Sequence, residues 1–443
     1  MLGGQSDRPI PQTPVARQGR RSSRLFLTGA RTLGRSVLGS VGALARGQSR
    51  DQVWQAVGED WYRTLSEMKG AAMKFGQMVS QYADVLPAPL AEQLQKLQRD
   101  AQPIPFAEAR GILDEVWGEA QWARLPWIDP QAMACASIGQ VHAARLDDER
   151  DVVVKIRHRG VTDDIDSDIA MLGRMLKLSR VMPVDAKAID EVLAEVADRL
   201  REETDYRIEL ANLQALRARN DDPAVSLPGP VVDLCSDRCL VLERVDAASL
   251  EEAKTWPQAE RDRLGDTLMR WTFDQVFRHG VLHADPHPGN FGFYRDGGIA
   301  VYDFGCVKRI APEMATQMRD FLRAADRRDW SAIHQLLIEL HALRGSAGDR
   351  GKIPSLADLQ PLYQRVHEAI YDSLFAERTY DFSDPAVLER SRALATRSIR
   401  HMADFRPVRD MAFVMRTLSG MYWLLRALGA RVDLRSIIDR HTA

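Results

Sequence analysis

Asp285, Asn290 and Asp303 stand close together in the chain, in His283-Ala-Asp-Pro-His-Pro-Gly-Asn290 and, after a short apolar hairpin, in Asp303-Phe304-Gly305. An acid five residues before an amide, with a second acid opening an Asp-Phe-Gly tripeptide, is the layout that phosphoryl transfer asks for. One carboxylate handles a proton, and an amide oxygen with a second carboxylate can hold a divalent cation. Magnesium takes oxygen donors in octahedral geometry and is usually bound by one or two protein groups plus substrate phosphates. Asn290 and Asp303 are therefore the metal-ligand candidates, and Asp285 the candidate catalytic acid or base. The plainer alternative is that Asp285 caps a loop and Asn290 stabilises a turn. Order, offset and the hairpin between the motifs together outweigh it.

The apolar runs Phe291 to Arg295 and Ile299 to Tyr302 flank Asp296-Gly297, a strong signal for a two-residue hairpin turn. A turn of that length pairs residue 295 with 298 and, counting back, Asn290 with Asp303. Directly opposed residues on antiparallel strands lie about 5 Å apart, close enough for two side chains to share a cation.

A nucleotide site also needs a lysine on a strand for the phosphates and an acid on a helix to hold that lysine. Val152-Val153-Val154-Lys155 supplies the first, since an apolar strand ending in Lys is uncommon and costly without a partner. An exposed edge-strand Lys is the bland alternative. Glu203, Asp205 and Glu209, in a helical stretch over residues 186 to 219, are the candidate partners. Glu203 and Glu209 are nearly two turns apart, so they need not serve the same lysine. Ahead of the strands, Ala136, Ser137, Ile138, Gly139 and Gln140 occupy the place of a glycine-rich phosphate loop. Small residues permit close backbone approach, but alanine lacks glycine's freedom at positive φ, so the loop is stiffer. Glu243 and Val245 lie at the expected hinge and complete the candidate nucleotide contacts.

Strands are expected at Val141 to Leu146 and Val152 to Ile156 around the turn Asp147 to Asp151, and again at Val231 to Leu234 and Cys239 to Leu242. Helices are expected over residues 53 to 100, 107 to 118, and Gln258 to Arg278, and from Pro312 onward. This divides the chain into a basic segment (1–50), a helical extension (51–120), a mixed lobe (121–245) and a helical lobe (246–443), with a hinge near Val245.

The chain has 443 residues and a net charge of −2. Residues 1 to 50 contain nine Arg and one acid, Asp7, a net +8 that leaves −10 for the rest. A helical wheel from Arg24 puts Arg24, Thr28, Arg31 and Arg35 opposite Phe26, Ala30, Leu33, Val37, Val41 and Leu44. Such a segment can attach to anionic lipid, in a manner that salt should weaken, or dock on the acidic body. The acidic body, with no base-stacking module, argues against nucleic acid. Four cysteines are too few and too irregular for a disulfide framework, and Cys235 and Cys239 lack a second pair at zinc spacing. No run of about 20 apolar residues predicts a transmembrane helix.

Together these motifs resemble the UbiB/AarF family of atypical kinases, protein-kinase-like proteins linked to ubiquinone and other isoprenoid-lipid metabolism. The resemblance covers about residues 50 to 310. It rests on Lys74-Phe75-Gly76-Gln77, which matches a Lys-x-Gly-Gln signature, on the alanine-rich loop Ala136 to His142, on Glu203-x-Asp205 with Glu209, and on the two catalytic motifs. It implies an α+β, two-lobed protein-kinase-like fold with an N-terminal helical extension and a mostly helical C-terminal lobe. By the same resemblance Lys155 contacts phosphates and pairs with Glu209, Asp285 is the acid or base, and Asn290 and Asp303 hold Mg2+. Lys74 is implied to fold over the site where a protein substrate would bind, held there by Glu203 and Asp205.

The implied activity is that of an ATP-dependent atypical kinase or ATPase, with ATP or ADP and Mg2+ as cofactors. The implied partners are an isoprenoid lipid or quinone precursor and quinone-biosynthesis proteins. The expected location is cytoplasmic, peripheral at the inner face of the membrane. Many bacterial relatives end in transmembrane helices, but Arg409, Arg416 and Arg426 interrupt residues 408 to 430, so no span is expected here. Two other readings stay open: a small-molecule phosphotransferase of the aminoglycoside-kinase type, whose catalytic loop is similar, and a non-catalytic nucleotide-binding scaffold.

Overall fold

The computed structural model describes residues 103–135, 138–159, 204–344, 353–375, 378–398, 404–406 and 408–442, with isolated positions at 55, 56, 59, 62 and 194. The basic N-terminal segment, Lys74 and its motif, Ala136, Ser137 and Glu203 lie outside the described residues. The fold is α+β, and the chain divides into two compact units. The first runs to Tyr206 and adds residues 232–241; the second comprises residues 207–231 and everything from Leu242 onward.

The first unit is built on an antiparallel sheet. Helices α1 (Phe106–Val116) and α2 (Glu119–Arg124) lead into β1 (Trp127–Cys135), β2 (Gly139–Arg145) and β3 (Asp151–Arg157), in the order β1-β2-β3-β5 with β5 (Cys239–Glu243). The β2–β3 hairpin closes where expected, with Arg145 opposite Asp151. Val152, Val154 and Ile156 are fully buried, while Val153 and Lys155 point to the other face and are half-buried. Successive side chains of a strand point to opposite faces, so the apolar run Val152-Val153-Val154 divides between the two sides of the sheet. Ala109, Ile112 and Leu113 form the apolar stripe of α1, which packs against β1 and β3.

In the second unit, α3 (Tyr206–Arg217, all but its first residue) is followed by β4 (Val225–Ser226) and then, past β5, by α4 (Leu250–Ala253) and the long α5 (Gln258–Asp274). Chain order continues through β6 (Val281–His283), β7 (Phe291–Phe293), β8 (Ile299–Val301), β9 (Val307–Arg309), α6 (Pro312–Asp326), α7 (Trp330–Glu339) and α8 (Leu356–Val366). It ends with α9 (Asp372–Phe375), β10 (Tyr380–Asp381), α10 (Ala386–Ser398), α11 (Arg409–Leu428), β11 (Arg431–Val432) and α12 (Leu434–Thr442). Leu264, Leu268 and Trp271 of α5 are buried, and α5 packs against α11, β11 and α12. A second apolar cluster joins α6, α7 and α8 through Ala325, Ile333, Leu359 and Tyr363. Among the described residues, no helix is long and apolar enough to cross a membrane.

Four sequence expectations need correction. The β7–β8 hairpin runs one residue out of the expected register: Phe291 faces Val301 and Phe293 faces Ile299, so Asn290 lies opposite Tyr302, whose N–H its carbonyl accepts at 3.0 Å, and not opposite Asp303. A two-residue hairpin turn requires φ > 0 at its first central position, here Asp296, and in type I′ at the second as well. Here only Gly297 is positive, at +100°, and Gly297 N–H donates to Tyr294 O, so the loop has three residues, 295 to 297. Residues 232 to 234 form a 3-10 turn, not a strand. The helical stretch expected over residues 186 to 219 is broken at Thr204 and Asp205, so Asp205 precedes α3 instead of lying inside a helix. The nine-residue strand β1 was not anticipated, because Pro130 marks against a strand. It is tolerated because β1 is an edge strand whose register shifts between Ile128 and Ala132.

Candidate active site

The loop that carries Asp285 and Asn290 owes its shape to pairings at both ends. Strands β6 and β9 are antiparallel, with His283 opposite Val307, and the ladder continues one rung as Ala284 N–H donates to Cys306 O at 2.8 Å. At the other end Tyr302 N–H donates to Asn290 O at the mouth of the β7–β8 hairpin. Residues 285 to 289 and 303 to 305 are thus held facing each other between two fixed rungs. The one-residue slip alters which residue stands directly opposite Asn290, yet it leaves Asp303 adjacent to that rung.

Within this frame each motif residue has a defined partner. Asn290 Nδ2 donates to Asp285 Oδ2 at 2.9 Å and to the Asp285 carbonyl at 3.2 Å. Both amide protons are thereby committed, which orients the remaining amide oxygen as an acceptor. Asp303 Oδ1 accepts the Gly305 N–H at 2.9 Å, a local turn that sets the carboxylate's direction. The donors are hard oxygens, the type magnesium requires, so Asn290 and Asp303 fit Mg2+. Among the described residues, no group of three or more His, Cys, Asp and Glu side chains is placed to hold a metal.

His283 is 1% exposed and stacks edge-on against Phe291 and Phe304, with its Nε2 2.8 Å from the Asp303 carbonyl. A carbonyl only accepts, so Nε2 carries the proton. Gln275, directly after α5, accepts the His283 backbone N–H at 2.6 Å, and Trp271 of α5 packs beside the His283 ring. From Gln275 to His279 the chain winds through a π-helical turn that ends on Gly280 at φ +63°, which aims β6.

Helix α3 grips the Asp303-Phe304-Gly305 tripeptide through its middle residue. Glu209, 4% exposed, accepts the Phe304 N–H at 3.3 Å, and Asn212 Nδ2 donates to Phe304 O at 2.9 Å. Phe304 itself is fully buried. Glu209 was foreseen as a lysine partner; its bond to Phe304 and the role of Asn212 were not. Asn212 lies three residues on from Glu209, on the same helix face, and that spacing was the available signal.

In the first unit, Lys155 stands opposite Val141 on β2 with its ammonium 5.3 Å from the Tyr206 ring centroid, within cation–π range. Gly139 has no room for a side chain, since a Cβ there would lie 2.6 Å from the Tyr206 hydroxyl. Ile138 is buried. Gln140 is fully buried and its amide is spent inside the fold: Oε1 accepts from Ile104 N–H at 2.7 Å, and Nε2 lies 3.2 Å from Ile104 O and 2.8 Å from His142 Nε2. Its side chain fastens the Pro103-Ile104-Pro105 segment to the sheet. In the second unit, Glu243 brackets Gly229 with its backbone N–H (2.8 Å) and its carboxylate (2.9 Å), and Val245 is half-buried beyond it.

Comparison with known proteins follows the same lines. The mitochondrial atypical kinase COQ8 of Saccharomyces cerevisiae is 28% identical over 374 residues, 83% of this chain and 72% of that protein. The probable protein kinase UbiB of Marinobacter nauticus is 31% identical over 284 residues, 62% of this chain and 52% of that protein, so the chain spans about half of that relative's length. The solved complex of Rv3197 with erythromycin from Mycobacterium tuberculosis aligns with a TM-score of 0.62 at 24% identity, covering 90% of this chain and 96% of that one, a likeness of fold. The model of the ABC1 atypical kinase-like domain matches residues 96–337, more than half of the sequence, and the chain belongs to that family.

Proposed function

We infer that the protein is a Mg2+-dependent atypical kinase or ATPase that binds ATP or ADP and supports isoprenoid quinone biosynthesis. The observation that carries this reading is the loop pinned at Ala284–Cys306 and Asn290–Tyr302, which holds Asp285, Asn290 and Asp303 in one frame. Asn290 and Asp303 hold the cation, and Asp285 orients or deprotonates the attacking hydroxyl or water. Lys155 takes the α and β phosphates. The quinone-pathway context is supported by the relatives' names, an atypical kinase COQ8 and a UbiB kinase.

The test is phosphate release from MgATP, alone and with quinone precursors or candidate small alcohols as acceptors. Wild type turns over, and Asp285→Asn lowers kcat by about 100-fold or more with little change in KM, as expected for loss of a general base. Unchanged turnover in Asp285→Asn refutes the catalytic assignment. Nucleotide binding with no release and no phosphorylated product identifies a scaffold instead, and a phosphorylated small alcohol identifies a small-molecule phosphotransferase.

A further inference from the structure

Helix α11 lies beyond the stretch matched by the family model, yet it touches the catalytic loop at two points. Arg416 Nη2 donates to the carbonyl oxygen of Ala284 at 2.6 Å, the residue just before Asp285. The same nitrogen stands 3.4 Å from the sulfur of Cys306, the residue just after Gly305. Ala284 and Cys306 form the rung that closes one end of the loop, so a single guanidinium sits on both sides of that closure. One turn further along, Gly420 meets Pro286, the residue just after Asp285, so closely that a Cβ at Gly420 would overlap the proline ring. Positions four apart share a helix face.

The helix is itself firmly seated. Val414, Thr417, Met421, Leu424 and Leu425 are each no more than 1% exposed. A face fixed in the core therefore presents Arg416 and Gly420 to the residues on either side of Asp285. The carbonyl that Arg416 holds belongs to the peptide plane entering Asp285, and the ring that Gly420 admits belongs to the residue leaving it. Together they restrict the two peptide planes that aim the Asp285 side chain. Lysine cannot copy this fully, because its compact ammonium lacks the planar fork of guanidinium.

We propose that α11 is a positioning element for the phosphoryl-transfer site, with Arg416 and Gly420 as positioning residues that fix Asp285 relative to Asp303. This rests on the functional reading given above, and the test separates the two. Amide hydrogen exchange is followed by mass spectrometry on the full chain for wild type, Arg416→Met, Gly420→Ala and a control, Trp423→Ala, on the exposed side of the same helix. Exchange across residues 284 to 290 and 303 to 306 rises about tenfold or more in the first two variants, while residues 258 to 274 and the control stay at wild-type rates. Alanine is a better helix former than glycine, so loosening in Gly420→Ala reports the collision with Pro286 and not a weakened helix.

Where wild type turns over MgATP, both variants lose about 10- to 100-fold in kcat with KM within about threefold, and Arg416→Lys recovers part of the loss. Unchanged exchange over 284 to 290, or an equal rise over 258 to 274, overturns the proposal. So does a rise in KM at constant kcat. Failure of wild type to release phosphate counts against the functional reading alone, because the exchange result is independent of turnover.

Discussion

Single side chains carry the site, and their value depends on what holds them. Asp303 is directed by its own Gly305 turn, by His283 on its carbonyl, and by the grip of Glu209 and Asn212 on Phe304. Asn212→Ala leaves the partly buried Phe304 carbonyl without its donor, which costs about 1–2 kcal/mol of stability. It also lowers turnover, through a displaced Asp303, by more than the stability loss explains. Denaturant unfolding together with kcat checks both halves, and a variant that loses stability but keeps full kcat would show that the clamp serves packing only. Asp285, Asn290 and Asp303 were all legible in the sequence because residue type and offset alone distinguish them. Asn212 was not, since its spacing from Glu209 marks a shared helix face but not which backbone group it meets until Phe304 is placed in space. Gln140 shows the converse: its neighbourhood suggested a phosphate loop, while its side chain is spent on Ile104 and His142.

Elements convert those residues into geometry, and their boundaries were the less legible part. Asp296-Gly297 correctly marked a hairpin, but the loop length was set by where φ turns positive, at Gly297 alone. Gly297→Ala forces an L side chain into that conformation, with its Cβ 2.7 Å from the Arg263 Cβ, and should cost about 1–2 kcal/mol or more. Thermal or denaturant unfolding measures it, and a neutral result would contradict the three-residue loop.

At the far end of the same unit, α12 docks on α5 through His441, whose Nε2 lies 3.0 Å from Asp274 Oδ1, while Arg278 donates to the same oxygen at 3.0 Å. Burial alone would push the Asp274 carboxyl up, but the hydrogen bonds from His441 and Arg278 outweigh it and hold the group below the usual carboxylate range. A carboxyl lowered in the folded state contributes stability above its unfolded value of about 3.9 and loses it as pH falls through the folded value. Asp274→Asn should therefore be less stable than wild type by about 2 kcal/mol near neutrality, with the gap closing below about pH 4. Melting curves across pH decide this, and a gap that stays constant into acid would refute the assignment.

For the whole molecule, the α+β character and family membership were legible in the sequence, because motifs for the two halves of a nucleotide site appear in kinase order. What was not legible depends on long-range packing: an edge strand that accommodates Pro130, and a C-terminal helix whose Arg416 and Gly420 reach back to the catalytic loop. Binding of Mg-nucleotide to the folded state alone should stabilise the chain by about 2.7 kcal/mol at a hundredfold excess over Kd, and a chelator should remove the part that depends on the cation. The most direct measurement is calorimetric titration of ADP into wild type and Asp303→Asn, each with Mg2+ and with EDTA. Wild type should bind at least about tenfold more tightly with Mg2+, and Asp303→Asn should lose that gain. An equal Mg2+ effect in both proteins, or none in wild type, would contradict the central claim that Asp303 helps hold the cation under the phosphates.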